Sequence, residues 1–285
     1  MQRIRLTVAY DGTEFCGWQK QPGCRTVEGT LLEGILALTG EQEPTMIGAS
    51  RTDSGVHAHG NIAVLDTDSP IPANRFAFAL NQKLPPDVRI VRSEACAPDW
   101  HPRRQHGEKC YVYRVMNERI EDPLYRRVAQ HVHAPLNAER MREAAAYLLG
   151  EHDFTSFVNP QSQVLLAGGD AVRTLYGIEI RTAHFCRYDV PCPAGKEMRP
   201  GGQETLAPVT APEKGYYGLI EIRYTGNGFL YHMIRILTGT LLEVGAGRIR
   251  PDEIPEILAA KDRRKAGPTA EARGLELYEI RFFEG

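Results

Sequence analysis

Two stretches of strict alternation limit what this chain can fold into. Ile4, Leu6, Val8 and Tyr10 alternate with Arg3, Arg5, Thr7 and Ala9, and Lys109-Cys110-Tyr111-Val112-Tyr113-Arg114-Val115 repeats the pattern far downstream. A period of two is the mark of a strand with one buried face. Each stretch opens a similar round of elements. In the first, Asp11-Gly12-Thr13 turns the chain, and Thr26 caps a helix with Val27, Leu31, Leu32, Ile35 and Leu38 on one face. A strand at 61–66 follows, then a helix at about 72–82 through Phe76, Ala79 and Leu80. Pro85-Pro86 stops that helix, and Val88-Arg89-Ile90-Val91 reads as a strand.

In the second round, Asn137 caps a helix with Met141, Ala144, Ala145 and Leu148 inward, and Gly150 ends it. Strands are expected near 174–182 and 217–224, an apolar helix at about 228–244, a short helix near 252–260 and a last strand at 275–283. The pattern predicts an α+β chain in two halves, residues 1–104 and 105–285. Each half holds a mainly antiparallel sheet with helices on one face. Residues 184–216 fit neither round. Pro191, Pro193, Pro200, Pro208 and Pro212, with Gly195, Gly201 and Gly202, predict a long surface excursion.

The 285 residues are 42% hydrophobic and 25% charged, as in an ordinary globular protein with a sizeable core. The net charge of −2 does not announce a nucleic-acid binder, so any such binding needs local basic patches. Arg103-Arg104 with His106 and Lys109, Arg126-Arg127, Arg248 with Arg250, and Lys261 with Arg263-Arg264-Lys265 are such clusters. No apolar run is long enough for a membrane helix. The N-terminus enters a strand and not a signal-peptide core, and the six cysteines form no Cys-x-x-Cys pair. Reduced thiols and a cytoplasmic location are therefore expected.

The stretch with the most chemistry is Gly48-Ala49-Ser50-Arg51-Thr52-Asp53-Ser54-Gly55-Val56-His57-Ala58-His59-Gly60, a polar, glycine-punctuated loop. It can present Asp53 outward, two residues from the cation of Arg51. Arg51 could orient the carboxylate or meet a phosphate. Asp53, His57 and His59 could be imagined around a metal, but no fourth ligand sits at a useful spacing, and no metal is expected. Asn227-Gly228-Phe229-Leu230-Tyr231-His232-Met233-Ile234-Arg235-Ile236-Leu237 places Arg235 in a helix apolar nearly all round, with His232, Arg235 and Gly239 along a narrow polar stripe. A guanidinium there either faces solvent or, turned inward, demands a partner. Tyr111 and Tyr113 share one strand face, and Leu275 reads as a core strand residue.

Arg51-Thr52-Asp53-Ser54-Gly55-Val56-His57-Ala58 resembles the signature of the tRNA pseudouridine synthase A family, G-A-G-R-T-D-A-G-V-H-A, with Ser50 for Gly and Ser54 for Ala. Further stretches are similar. Tyr10-Asp11-Gly12-Thr13-x-Phe15-x-Gly17-Trp18-Gln19 opens the resemblance. Trp100-His101-Pro102-Arg103 follows F-H-A-R. Lys109-x-Tyr111-x-Tyr113 follows the second motif, 227–235 follows N-G-F-L-x-H-M-V-R, and Gly274-Leu275-Glu276-Leu277 follows G-L-x-L. The resemblance covers nearly the whole chain apart from 184–216.

It implies two ferredoxin-like halves around a central cleft, an isomerase with no cofactor, and a homodimer acting on tRNA at uridines 38, 39 and 40 of the anticodon arm. By resemblance Asp53 is the catalytic acid and Arg235 its partner. Tyr111 stacks on the target base and Leu275 walls the pocket, while Arg51, Arg103 and His57 also belong to the site. Two rival readings remain open: a non-catalytic RNA-binding module of the same fold, and a metal-dependent hydrolase built on Asp53 and His57.

Overall fold

The computed structural model describes residues 1–183 and 217–283; the excursion expected at 184–216 lies outside them. In chain order the elements are β1 (Gln2–Tyr10), α1 (Val27–Thr39), β2 (Thr45–Gly48), β3 (His57–Thr67), α2 (Ala73–Asn81), β4 (Val88–Ala95), β5 (Gly107–Asn117), β6 (Gln130–His131), α3 (Ala138–Ala146), β7 (Gly150–Asp153), α4 (Gln163–Leu166), β8 (Val172–Ala183), β9 (Gly218–Gly226), α5 (Met233–Gly245), α6 (Ile254–Ala260) and β10 (Leu275–Phe282). The expected caps form: the Thr26 side chain accepts from the Gly29 amide at the start of α1, and Asn137 accepts from Arg140 at the start of α3.

The expected α+β class holds. All the strands among the described residues join one sheet in the order β4-β1-β3-β10-β5-β9-β8-β7, with β2 beside β3 and β6 beside β5. The last strand fastens the two rounds together. β10 lies parallel to β3 through Glu276 and Leu277, and antiparallel to β5 along its length. Tyr111 is opposite Tyr224 in the β5–β9 ladder, and the Tyr224 hydroxyl meets Thr238 Oγ1 of α5 at 2.8 Å. The face carrying Tyr111 is therefore the one covered by α5. A single apolar cluster runs from Ile4 and Leu6 through Tyr111 and Tyr113 to Leu237 and Leu277.

Three boundaries differ notably from the sequence reading. α3 ends at Ala146, and Gly150, expected to end it, opens β7. β3 begins at His57, so the signature loop is shorter than it reads, and its histidines belong to a strand. The apolar helix begins at Met233 and not near 228, because His232 takes a left-handed conformation with φ 62°. Within α5 every residue except Arg235 and Glu243 is buried, as the all-round apolar pattern requires. No helix among the described residues is long and apolar enough to cross a membrane.

Candidate active site

The loop between β2 and β3 is fixed from below. The Ala49 amide donates to Ile62 O at 2.7 Å, Asn61 Nδ2 donates to Ser50 O at 3.0 Å, and the Tyr10 hydroxyl meets Thr52 Oγ1 at 2.7 Å. From the side, the Trp18 amide donates to Thr52 O and the Gly55 amide to Phe15 O. Gly48 has no room for a side chain: a Cβ would stand 2.4 Å from Nε1 of buried Trp18. These bonds leave Asp53 projecting into a cleft of about 990 Å³ that is also lined by Arg51, Arg103, Lys109, Tyr111, His232, Arg235 and Leu275.

Asp53 is 17% exposed, and two cations or potential cations face it from the start of α5. Arg235 Nη1 stands 3.4 Å from Asp53 Oδ2, and His232 Nε2 stands 3.5 Å from the same oxygen. Arg235 is itself held. Its Nε donates to Ala270 O at 2.7 Å, and the Ala270 amide donates back to Arg235 O at 3.0 Å. The 266–270 segment reaches α5 because position 239 is glycine, where a Cβ would stand 1.8 Å from Pro268 O.

The proton on His232 can be placed. Asn159 Oδ1 accepts from the Gln161 amide at 2.9 Å, so the amide nitrogen of Asn159 is the atom facing His232 Nδ1 at 3.1 Å. That nitrogen donates, Nδ1 accepts, and the imidazole hydrogen sits on Nε2, toward Asp53. Burial pushes the His232 imidazole below its ordinary value; Asp53 pulls it up, and Arg235 and Arg263 push it further down.

On the facing wall, Tyr111 packs edge-on against Phe229 at 5.2 Å between ring centroids, and its hydroxyl meets Ser50 Oγ at 3.0 Å. Burial pushes the Tyr111 phenol up to about 12 against the Ser50 hydrogen bond, and the Asp53 charge adds to the rise. Tyr111 is a neutral donor at ordinary pH. Lys109 Nζ donates to Ser50 Oγ at 3.2 Å and lies 3.4 Å from Ala49 O. Burial, with the nearby Arg103 and Arg173, brings Lys109 down to about 8. Leu275 is 5% exposed and closes the apolar side.

The structure therefore gathers six of the seven expected site residues at one cleft: Asp53, Arg51, Arg235, Tyr111, Leu275 and Arg103. Arg51 does not pair with Asp53. Its Nη1 donates to Gln163 Oε1 of α4 at 2.8 Å, across the cleft mouth. Arg103 Nε donates to Gly48 O at 2.8 Å.

His57, expected to touch substrate, lies outside the cleft lining and serves as a strut. Its Nδ1 accepts from the Gly12 amide at 3.0 Å, and its Nε2 donates toward the carbonyls of Arg127 at 2.8 Å and Arg273 at 3.2 Å. The Asp11 carboxylate lies 3.2 Å from Nδ1, but the Gly12 donor already occupies that lone pair. His59 pairs instead with Glu276, on the other side of the sheet from Leu275.

The sequence reading missed His232 as a direct neighbour of Asp53, although the polar stripe through His232 and Arg235 carried the signal. It also missed Ser50, Lys109 and Asn159.

The family model of tRNA pseudouridine synthase matches residues 6–103 and 144–282. The chain is 40% identical over 280 residues to the tRNA pseudouridine synthase A of Bacillus pumilus, covering 98% of both chains. It is 38% identical to the protein of that name from Acetivibrio thermocellus, over 98% of this chain and 99% of the relative. The Moorella thermoacetica protein of the same name is 38% identical over 284 residues, covering 99% and 100%.

Proposed function

The chain belongs to the tRNA pseudouridine synthase family, and from this membership we propose that it isomerises uridine to pseudouridine in the anticodon arm of tRNA, at positions 38, 39 and 40, with Asp53 as the catalytic carboxylate. The reaction breaks the bond from ribose C1′ to N1 of the base, turns the base, and joins C1′ to C5. The proton on C5 leaves and N1 ends protonated, so nothing is oxidised or reduced. One well-placed carboxylate and a water-poor pocket suffice.

The observation that carries this reading is the single carboxylate Asp53 in a cleft of cations, facing Arg235 and His232 at 3.4 and 3.5 Å, with Tyr111 opposite. Arg235 orients the carboxylate by charge and is itself oriented by Ala270. Tyr111, a phenol at working pH, and Leu275 flank the uracil ring. Lys20, Arg51, Arg103 and Arg173 at the rim suit the phosphates on either side of the target. A uridine in the paired stem must leave its stack to reach Asp53. In this reading the halves 1–104 and 105–285 contribute opposite walls, two copies act together as a homodimer, and the protein works in the cytoplasm.

The test uses purified protein and unmodified tRNA transcripts carrying uridine at 38, 39 or 40. Carbodiimide labelling and primer extension then map pseudouridine. New stops at those positions are expected; stops only elsewhere contradict the assigned positions, and no stops contradict the activity.

A further inference from the structure

Lys109 is half-buried in the cleft wall and has no role in the reaction just described. Lys109 and Tyr111 are two apart on β5 and project from the same face. Between them stands the hydroxyl of Ser50, 3.2 Å from Lys109 Nζ and 3.0 Å from the Tyr111 oxygen. An ammonium can only donate, so it takes a lone pair of Ser50 Oγ. With one lone pair taken by Lys109, Ser50 can give its own hydrogen to the Tyr111 oxygen, and in that arrangement the phenolic hydrogen of Tyr111 is free to point into the cleft.

We propose that Lys109, acting through Ser50, is a positioning residue that sets the direction of the Tyr111 phenolic proton. The proposal rests on reading the cleft as the isomerising site. Once Lys109 loses its charge, its amine accepts from Ser50. Ser50 then accepts from Tyr111, and the phenolic hydrogen turns away from the base.

The charged groups around this relay point the same way. Arg103, after β4, and Arg173, on β8, face Lys109 and favour its neutral form, as burial does. Asp53 faces Tyr111 from the loop. Among the described residues no carboxylate pairs with Lys109; its hydrogen bonds go to Ala49 O and Ser50 Oγ. A lysine kept in such a place without a counter-ion costs stability, and the Ser50 contact is the interaction it is buried to make. Ser50 stands where the signature it resembles has glycine, so the relay uses a hydroxyl that the signature does not call for.

The experiment follows kcat/KM for tritium release from C5-tritiated tRNA between pH 6.5 and 10, since that ratio reports the free enzyme's groups. Wild-type activity should fall as the pH rises through about 8. K109R keeps its charge and should move that limb up by at least about one pH unit. S50A and S50G should lose the limb and lower kcat about tenfold, with K109M lowering kcat while KM stays within about twofold.

A K109M variant with raised KM and full kcat would make Lys109 a phosphate contact and overturn the proposal. So would an S50A variant with the wild-type limb. A second readout does not need activity. The ¹³Cζ resonance of Tyr111, assigned with Y111F, should shift with the titration of Lys109 in the wild type and not in S50A. Coupling without any pseudouridine product would overturn the reading of the cleft and leave the relay standing; no coupling would overturn the relay alone.

Discussion

Arg235 and Asp53 are 182 residues apart in the chain and 3.4 Å apart in the fold. The contact joins the loop after β2 to the first turn of α5, and its geometry is set by neither alone. The Ala270 carbonyl aims the guanidinium, and Gly239 lets Ala270 come close enough to do so.

Removing that cation is expected to damage catalysis more than folding. R235A leaves Asp53 facing only His232 and frees the Ala270 carbonyl. Single-turnover tritium release should slow by about a hundredfold or more, while urea unfolding shows a loss of about 1–3 kcal/mol. A rate within a few-fold of wild type would dismiss Arg235 as the partner of Asp53.

His57 is expected to act on stability. H57A strands the Gly12 amide and unties the Arg127 and Arg273 carbonyls. The urea midpoint should drop by the equivalent of about 2 kcal/mol. The salt dependence of tRNA binding should stay as in the wild type. A shallower salt slope would return His57 to the substrate interface.

The longer strands and the capped helices were legible because their signals are local, while the short strands β2, β6 and β7 were not. Alternation through Ile4, Leu6, Val8 and Tyr10, and caps at Thr26 and Asn137, need no distant partner to be read. The start of α5 was not. The run Phe229-Leu230-Tyr231 continues the helical spacing, yet Phe229 turns to meet Tyr111 edge-on, and His232 adopts φ 62° facing Asn159 and Asp53. Tertiary contacts hold that conformation, and no local pattern encodes it. Which of its two expected partners Arg51 faces was not legible for a similar reason: nearness in sequence places a cation close to Asp53 but does not aim it, and Gln163 of α4 takes its hydrogen bond. The pairing of β10 with both β3 and β5 is also non-local, and it joins the strands of the first round to those of the second.

Lys109 should lower stability below its titration. The unfolded chain keeps a lysine at its ordinary 10.5, whereas burial brings the folded value to about 8. Between those values the unfolded state binds more protons, so stability rises with pH across the window; below about 8 both states are charged and the full cost remains. K109M should therefore be more stable at pH 7, by on the order of 2 kcal/mol, and should lack the lysine's contribution to the rise between pH 8 and 10.5. Thermal unfolding across that range reads it directly.

Arg103 is expected to contact a phosphate. R103A should weaken tRNA binding to a similar degree for different sequences. It should also reduce the slope of log K against log salt by about one. An unchanged slope would leave Arg103 only its bond to Gly48 O.

The most direct measurement compares wild type and D53N for tritium release from C5-tritiated tRNA, with tRNA binding and thermal melting followed in parallel. The amide fills the same volume without the charge, so binding and melting should persist while release falls by more than about a thousandfold. Release by D53N within tenfold of wild type would contradict the assignment of Asp53 as the catalytic group.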